Sequence, residues 1–228
     1  MTPQEVDRIL AQSAERSLHR DLESTVARVK SALPFSIAPV RPMPSPLVLG
    51  ILCLAIFGAV ASAGAVAFGM YGLPVLSPMA RAVIFPLLIT SACIAAVAVI
   101  RECRPAGGTR MVGAALLFGT FALLSAFAAL FQDYAMPRFF PEGVKCLAAG
   151  LVCAIPAGVL ILLLLRRGLV LDWRAAGMAG GTLAGLAGIG MLELHCPILQ
   201  APHIMFWHVA VVWISGMTGW LIGVLARR

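Results

Sequence analysis

Polar and apolar positions divide the chain into two unlike parts. Over the first 46 residues they alternate at helical spacing. After that come six long apolar runs separated by short polar breaks. In the first part Val6, Ile9, Leu10, Leu18, Leu22, Val26, Val29 and Leu33 fall where one side of a helix would gather them. Glu5, Asp7, Arg8, Glu15, Arg16, Arg20, Asp21, Glu23, Arg28 and Lys30 occupy the other side. Pro34 ends the pattern, because proline lacks the amide donor that a helix interior needs. The segment S-I-A-P-V-R-P-M-P-S-P follows, and its prolines predict a stiff, extended linker. A lone amphipathic helix cannot bury its own apolar stripe, so it lies on a membrane surface or packs on a partner. The mixed signs on its polar face favour the partner.

The apolar runs cover roughly 47–69, 82–100, 111–131, 146–165, 175–192 and 207–225. Each is close to the ~20 residues that cross a ~30 Å hydrocarbon core. The pattern therefore predicts an all-α, polytopic membrane protein. It has a cytoplasmic amphipathic arm over 1–46 and a domain of six transmembrane helices over 47–228. In the fifth run Gly177, Gly181 and Gly185 repeat on one face, which lets a neighbouring helix approach closely and places this run near the bundle centre. Pro86 and Pro156 sit inside the second and fourth runs as possible kinks.

Composition removes the soluble alternative. The chain is 61% hydrophobic and 12% charged, with a mean hydropathy of +0.96, whereas soluble domains are nearer half apolar and a quarter charged. The net charge of +7 need not mean nucleic-acid binding, since Lys and Arg collect in cytoplasmic loops of membrane proteins. On a six-span layout Arg101, Arg104, Arg110, Arg166, Arg167, Arg174, Arg227 and Arg228 share one side with the basic residues of the arm. Arg81, Arg138 and Lys145 fall on the other. The asymmetry puts both termini in the cytoplasm, with no secretory signal ahead of the arm.

No enzyme motif is present: there is no G-x-S-x-G, no H-E-x-x-H and no phosphate-binding loop. A non-enzymatic role and no cofactor are expected. Charges inside the runs are too few to suggest an ion path. What remains is the interruption M-L-E-L-H-C-P-I-L-Q-A-P-H-I-M-F-W-H, Met191 to His208, which carries Glu193 and three of the four histidines. His195, Cys196, His203 and His208 could converge on a soft metal ion, although their spacing matches no standard zinc pattern. His208 beside Trp207 reads equally as an interfacial anchor. The six cysteines form no disulfide framework. Cys146 and Cys196 alone share a level at the outer membrane face, where they are either small buried side chains or a pair that can meet.

At these residues the chain resembles a known family. The run L-H-C-P (Leu194 to Pro197), then W-H (Trp207, His208) and a glycine-containing last helix, is similar to the NrsF family of six-helix membrane anti-sigma factors. The segment P-V-R-P-M, Pro39 to Met43, resembles that family's junction between arm and membrane, and the interval from Cys146 to Cys196 fits its pair of periplasm-facing cysteines. The resemblance implies an anti-sigma factor of the bacterial inner membrane. Its arm, through Ile9, Leu10, Leu18, Leu22, Val26, Val29 and Leu33, would hold an extracytoplasmic-function sigma factor. It would release that partner when Cys146 and Cys196 sense metal or oxidative stress. Direct nucleic-acid contact is not expected, and a metal ion would enter only as a signal. The competing reading from the residues alone is a small metal-handling membrane protein or transporter.

Overall fold

The computed structural model describes residues 44–103, 110–136, 138–167, 170 and 172–226, and in the arm residues 4, 5, 7, 8, 22–29 and 31. The chain divides into two compact units, Met1–Pro42 and Met43–Arg228. In the first, residues 22–29 are helical, and Leu22, Val26 and Val29 are exposed. The predicted contact residues Ile9, Leu10, Leu18 and Leu33 lie outside the described residues, as does the P-V-R-P-M segment.

The second unit is built of helices, with no strand among the described residues. Its elements are α1 (Pro46–Phe68), the short α2 (Gly72–Val75), α3 (Pro78–Glu102), α4 (Arg110–Leu130), α5 (Phe139–Leu165), α6 (Trp173–His195), α7 (Ala201–His203) and α8 (Val209–Ala226). A turn of π-helix, Ile204–His208, joins α7 to α8 without a break. The helix starts follow capping chemistry. The side chains of Ser45, Ser77 and Asp172 accept from Val48, Ala80 and Arg174 backbone N–H groups, and Pro46 and Pro78 take first-turn positions that need no donor. Pro86 and Pro156 remain inside α3 and α5.

Among the described residues, five helical stretches are long and apolar enough to cross a membrane: α1, α3, α5, α6 and the continuous Ala201–Ala226. Helix α4 matches the third predicted run in position and has 21 residues, with its side chains described from Gly119 onward.

Helix α6 is the centre. In its apolar window 83% of residues are buried, against 17–44% in the other four spans, so its neighbours shield it from any surrounding lipid. The cause is its glycine content. A Cβ on Gly177 would run into the carbonyl oxygen of Gly219 on α8, and one on Gly181 into that of Ser215. A Cβ on Gly188 would lie 2.6 Å from the Gly150 carbonyl oxygen of α5. Backbones thus touch directly on both sides of α6, the packing that small residues permit where hydrophobic association drives little. Leu183, Leu186, Ile189, Met191 and Leu192 fill the remaining contacts as fully buried side chains. The C-terminus of this tightly held helix delivers Glu193 to Cys196.

Candidate functional site

The site lies where α5 begins, α6 ends and the last span starts. Cys146 stands two turns into α5, half-buried. Cys196 is the C-cap of α6, and its N–H donates to the Leu192 carbonyl at 2.7 Å. Gly72 of α2 permits the close approach of this backbone, since a Cβ there would stand 2.6 Å from the Cys196 carbonyl oxygen. The result is a Cys146 Sγ to Cys196 Sγ distance of 3.5 Å, with both thiols free. A disulfide at ~2.05 Å would need the sulfurs to close by about 1.5 Å. The hydrogen bond to Cys146, with burial added, pushes the Cys196 thiol above its usual range.

Two histidines complete the group. His203 Nε2 lies 3.7 Å from Cys196 Sγ. His208 sits five residues on, yet its ring centroid is 5.5 Å from that of His203. An α-helix would swing residues five apart to different faces. The π turn, bonded i to i+5, brings them together edge to face instead. Both rings are almost completely buried. His208 Nδ1 donates to Glu193 Oε1 at 2.8 Å, and both side chains of this pair are 2% exposed or less. A carboxylate accepts only, so the proton in this contact belongs to Nδ1, and Nε2 faces away from Glu193. One ligand-type atom from each of Cys146, Cys196, His203 and His208 lies within 4.8 Å of all the others.

His195 is not among them. Its Nδ1 lies 2.8 Å from the Gly69 carbonyl oxygen, and its ring packs between Phe68 and Tyr71 with centroids 5.8 Å from each. Of the four predicted metal-type residues the structure gathers Cys196, His203 and His208, and it supplies Cys146 where the sequence suggested His195. An aromatic group pins the site's edge: Trp207 packs on Phe139, Phe140 and Phe206 with centroids 4.9–6.0 Å away. Gly143 makes room for its indole, which a Cβ there would overlap.

Cys146, Cys196, Trp207 and His208 are among the positions that carried the family resemblance, and the comparison with known proteins agrees on the family. A family model described as "Negative regulator of sigma F", NrsF, matches residues 34–228. The chain belongs to the NrsF family. Its name denotes a regulatory rather than a catalytic role. A curated relative from Azospira oryzae, "Probable anti-sigma-F factor NrsF", is 34% identical over 133 residues, 55% of this chain. The match spans 62% of the length of that relative. No solved structure matches.

Within this NrsF chain, Glu193 is the residue that sequence reasoning placed in the interruption but gave no task. Its signal was a carboxylate inside an otherwise apolar helix end, where an unpaired charge is costly. The other four cysteines are remote from the site. Cys53 and Cys153 are buried among the core side chains and Cys93 is half-buried in α3. Cys103 follows α3 at the opposite end, where burial holds its thiol at about 11.

Proposed function

We propose that this protein is a membrane-bound anti-sigma factor. Its arm sequesters an extracytoplasmic-function sigma factor at the cytoplasmic face of a bacterial inner membrane, and Cys146 and Cys196 release it on metal or oxidative stress. The observation that carries the reading is the 3.5 Å contact between two sulfurs drawn from separate helices at one end of the bundle, in a chain of the NrsF family. The six-span layout adds α4 to the five long spans. Its 21 residues rise about 31 Å, enough for the ~30 Å core. Six spans with the Lys and Arg distribution put both termini inside and the cysteine pair outside, where disulfides can persist.

In the arm, Leu22, Val26 and Val29 form an exposed apolar stripe at helical spacing. Such a stripe suits a helix-in-groove contact with the sigma factor, and Ile9, Leu10, Leu18 and Leu33 extend the same pattern in the sequence. At the outer end, two thiols passing two electrons and two protons to a peroxide-class oxidant form one disulfide. Closing the sulfurs pulls the start of α5 toward the end of α6. Because α6 and α8 touch backbone to backbone, they respond by changing arrangement rather than by bending. The metal-handling alternative draws on the four clustered ligand-type residues. The deciding experiment is fractionation of cells with full-length protein: the sigma factor should be found with membranes, and in the cytosol for Leu22→Asp with Val26→Asp. A sigma factor that stays soluble in both strains, with metal flux dependent on Cys196, would favour the alternative.

A further inference from the structure

We infer that Cys146, Cys196, His203 and His208 form a closed, four-coordinate site for a zinc-class divalent ion, with Glu193 as the group that orients His208. The inference deepens the proposed sensor and rests on the same cysteine pair, but it gives the metal signal a defined four-ligand site. It also adds three residues that a pure thiol sensor does not need.

Four observations lead there. The first is distance. Zn–S bonds of ~2.3 Å and Zn–N bonds of ~2.0–2.1 Å in a tetrahedron set ligand atoms about 3.3–3.8 Å apart. The S···S separation of 3.5 Å and the Cys196–His203 separation of 3.7 Å already fall there, and no pair in the group exceeds 4.8 Å. The second is an unpartnered atom. His208 Nε2 is fully buried with no hydrogen bond, while its Nδ1 is engaged. A buried imidazole nitrogen without a partner is uncommon in folded proteins, and a metal bond satisfies it. The third is the Glu193–His208 contact of 2.8 Å. Metal-bound histidines commonly donate their other nitrogen to a carboxylate, which fixes the tautomer and makes the ligand more basic. The fourth is the π turn, which brings His203 and His208 onto one face where an α-helix would separate them.

The donor set selects the ion. Two thiolates and two imidazoles in tetrahedral array suit zinc-class ions and exclude Mg²⁺ and Ca²⁺, which take oxygen ligands. Binding a dication displaces the two thiol protons to solvent. The dication and the two thiolates then cancel in charge, and the remaining negative charge of Glu193 is held by the His208 Nδ1–H. With four protein ligands there is no open position, so the site is structural or regulatory rather than catalytic. A metal-bound pair also cannot be a disulfide, so ion and oxidant compete for the same sulfurs.

The test uses full-length protein purified in detergent, with Co²⁺ as the spectroscopic probe and Zn²⁺ as its competitor. One Co²⁺ per chain is expected, with sulfur-to-cobalt charge-transfer bands and the intense d–d bands of a tetrahedral ion, both erased by Zn²⁺. Cys146→Ser with Cys196→Ser should abolish the charge-transfer bands, and His203→Gln or His208→Gln should abolish the tetrahedral spectrum. Glu193→Gln should keep the spectrum but weaken Zn²⁺ binding ~10–100-fold, and His195→Gln should change neither. Size-exclusion profiles and thermal unfolding identify any variant that fails to fold, and Glu193→Gln and His195→Gln keep the question decidable without ligand removal. Weak octahedral bands, or binding undiminished in both histidine variants, would overturn the site. The same preparations are scored for sigma-factor retention. Retention and oxidant release without stoichiometric metal sinks this inference and leaves the sensor standing. A four-ligand ion in a chain that binds no sigma factor does the reverse.

Discussion

His195 and Cys196 are neighbours in the sequence with opposite fates, one against the Gly69 carbonyl and the other 3.5 Å from Cys146. Nothing in the spacing H-C-x6-H-x4-H separates them, because the side-chain directions depend on where α6 ends. Cys146, fifty residues earlier, was legible with Cys196 as a sensor pair, but nothing in the sequence joined it to His203 and His208. The pairing of Glu193 with His208 was not legible at all, since it needs the π turn, for which the residues Ile204–His208 carry no distinctive signal. Two predictions belong at this scale. Treatment of membranes with a peroxide-class oxidant should yield a Cys146–Cys196 cross-link detectable by peptide mass spectrometry. A protein oxidised elsewhere but unlinked at this pair would contradict the thiol mechanism. Gly143→Ala places a methyl group in the space of the Trp207 indole. It should cost about 1–3 kcal/mol by overpacking and shift the tryptophan emission, read by thermal unfolding and fluorescence in detergent; an unchanged melting profile would argue against the tight fit.

Element positions followed well from hydrophobic patterning, because a bilayer-length apolar run leaves few alternatives. The observed helices begin a few residues earlier than several runs suggested. Ser77-Pro78 and Asp172-Trp173 supply capping where the apolar count had not yet started. The glycines of α6 announced a close neighbour, but not that the neighbour would be α8 on one side and α5 on the other. Gly181→Val should therefore act far beyond ordinary propensity, since its Cβ meets the Ser215 backbone, which cannot rotate away. A loss of at least about 3 kcal/mol, or failure to accumulate in membranes, is expected; near-normal stability would show that α6 and α8 are not in backbone contact. In the arm, Leu22→Asp introduces a charge into the exposed apolar stripe. Sigma-factor affinity should fall by about 2 kcal/mol or more, roughly 30-fold, in a titration with full-length protein; unchanged affinity would remove the stripe from the interface.

For the molecule as a whole, composition carried the membrane reading and the family resemblance, with the topology, carried the regulatory one; the family match over residues 34–228 agrees on the family. The proposed six-span layout predicts that a membrane-impermeant thiol reagent applied to intact cells spares a cysteine added after Arg228. The same reagent should label one placed at Tyr134, which is exposed in the segment between α4 and α5. The reverse labelling would invert the sensor and the arm. The central claim, that a thiol event at one face frees a sigma factor at the other, is tested most directly in membranes carrying full-length protein with its sigma factor bound. The amount of sigma factor released is measured before and after oxidant or zinc-class metal challenge, in wild type and in Cys146→Ser with Cys196→Ser. The account predicts release from wild type and retention by the double variant under the same challenge. Equal release from both, or no release from either, would contradict it.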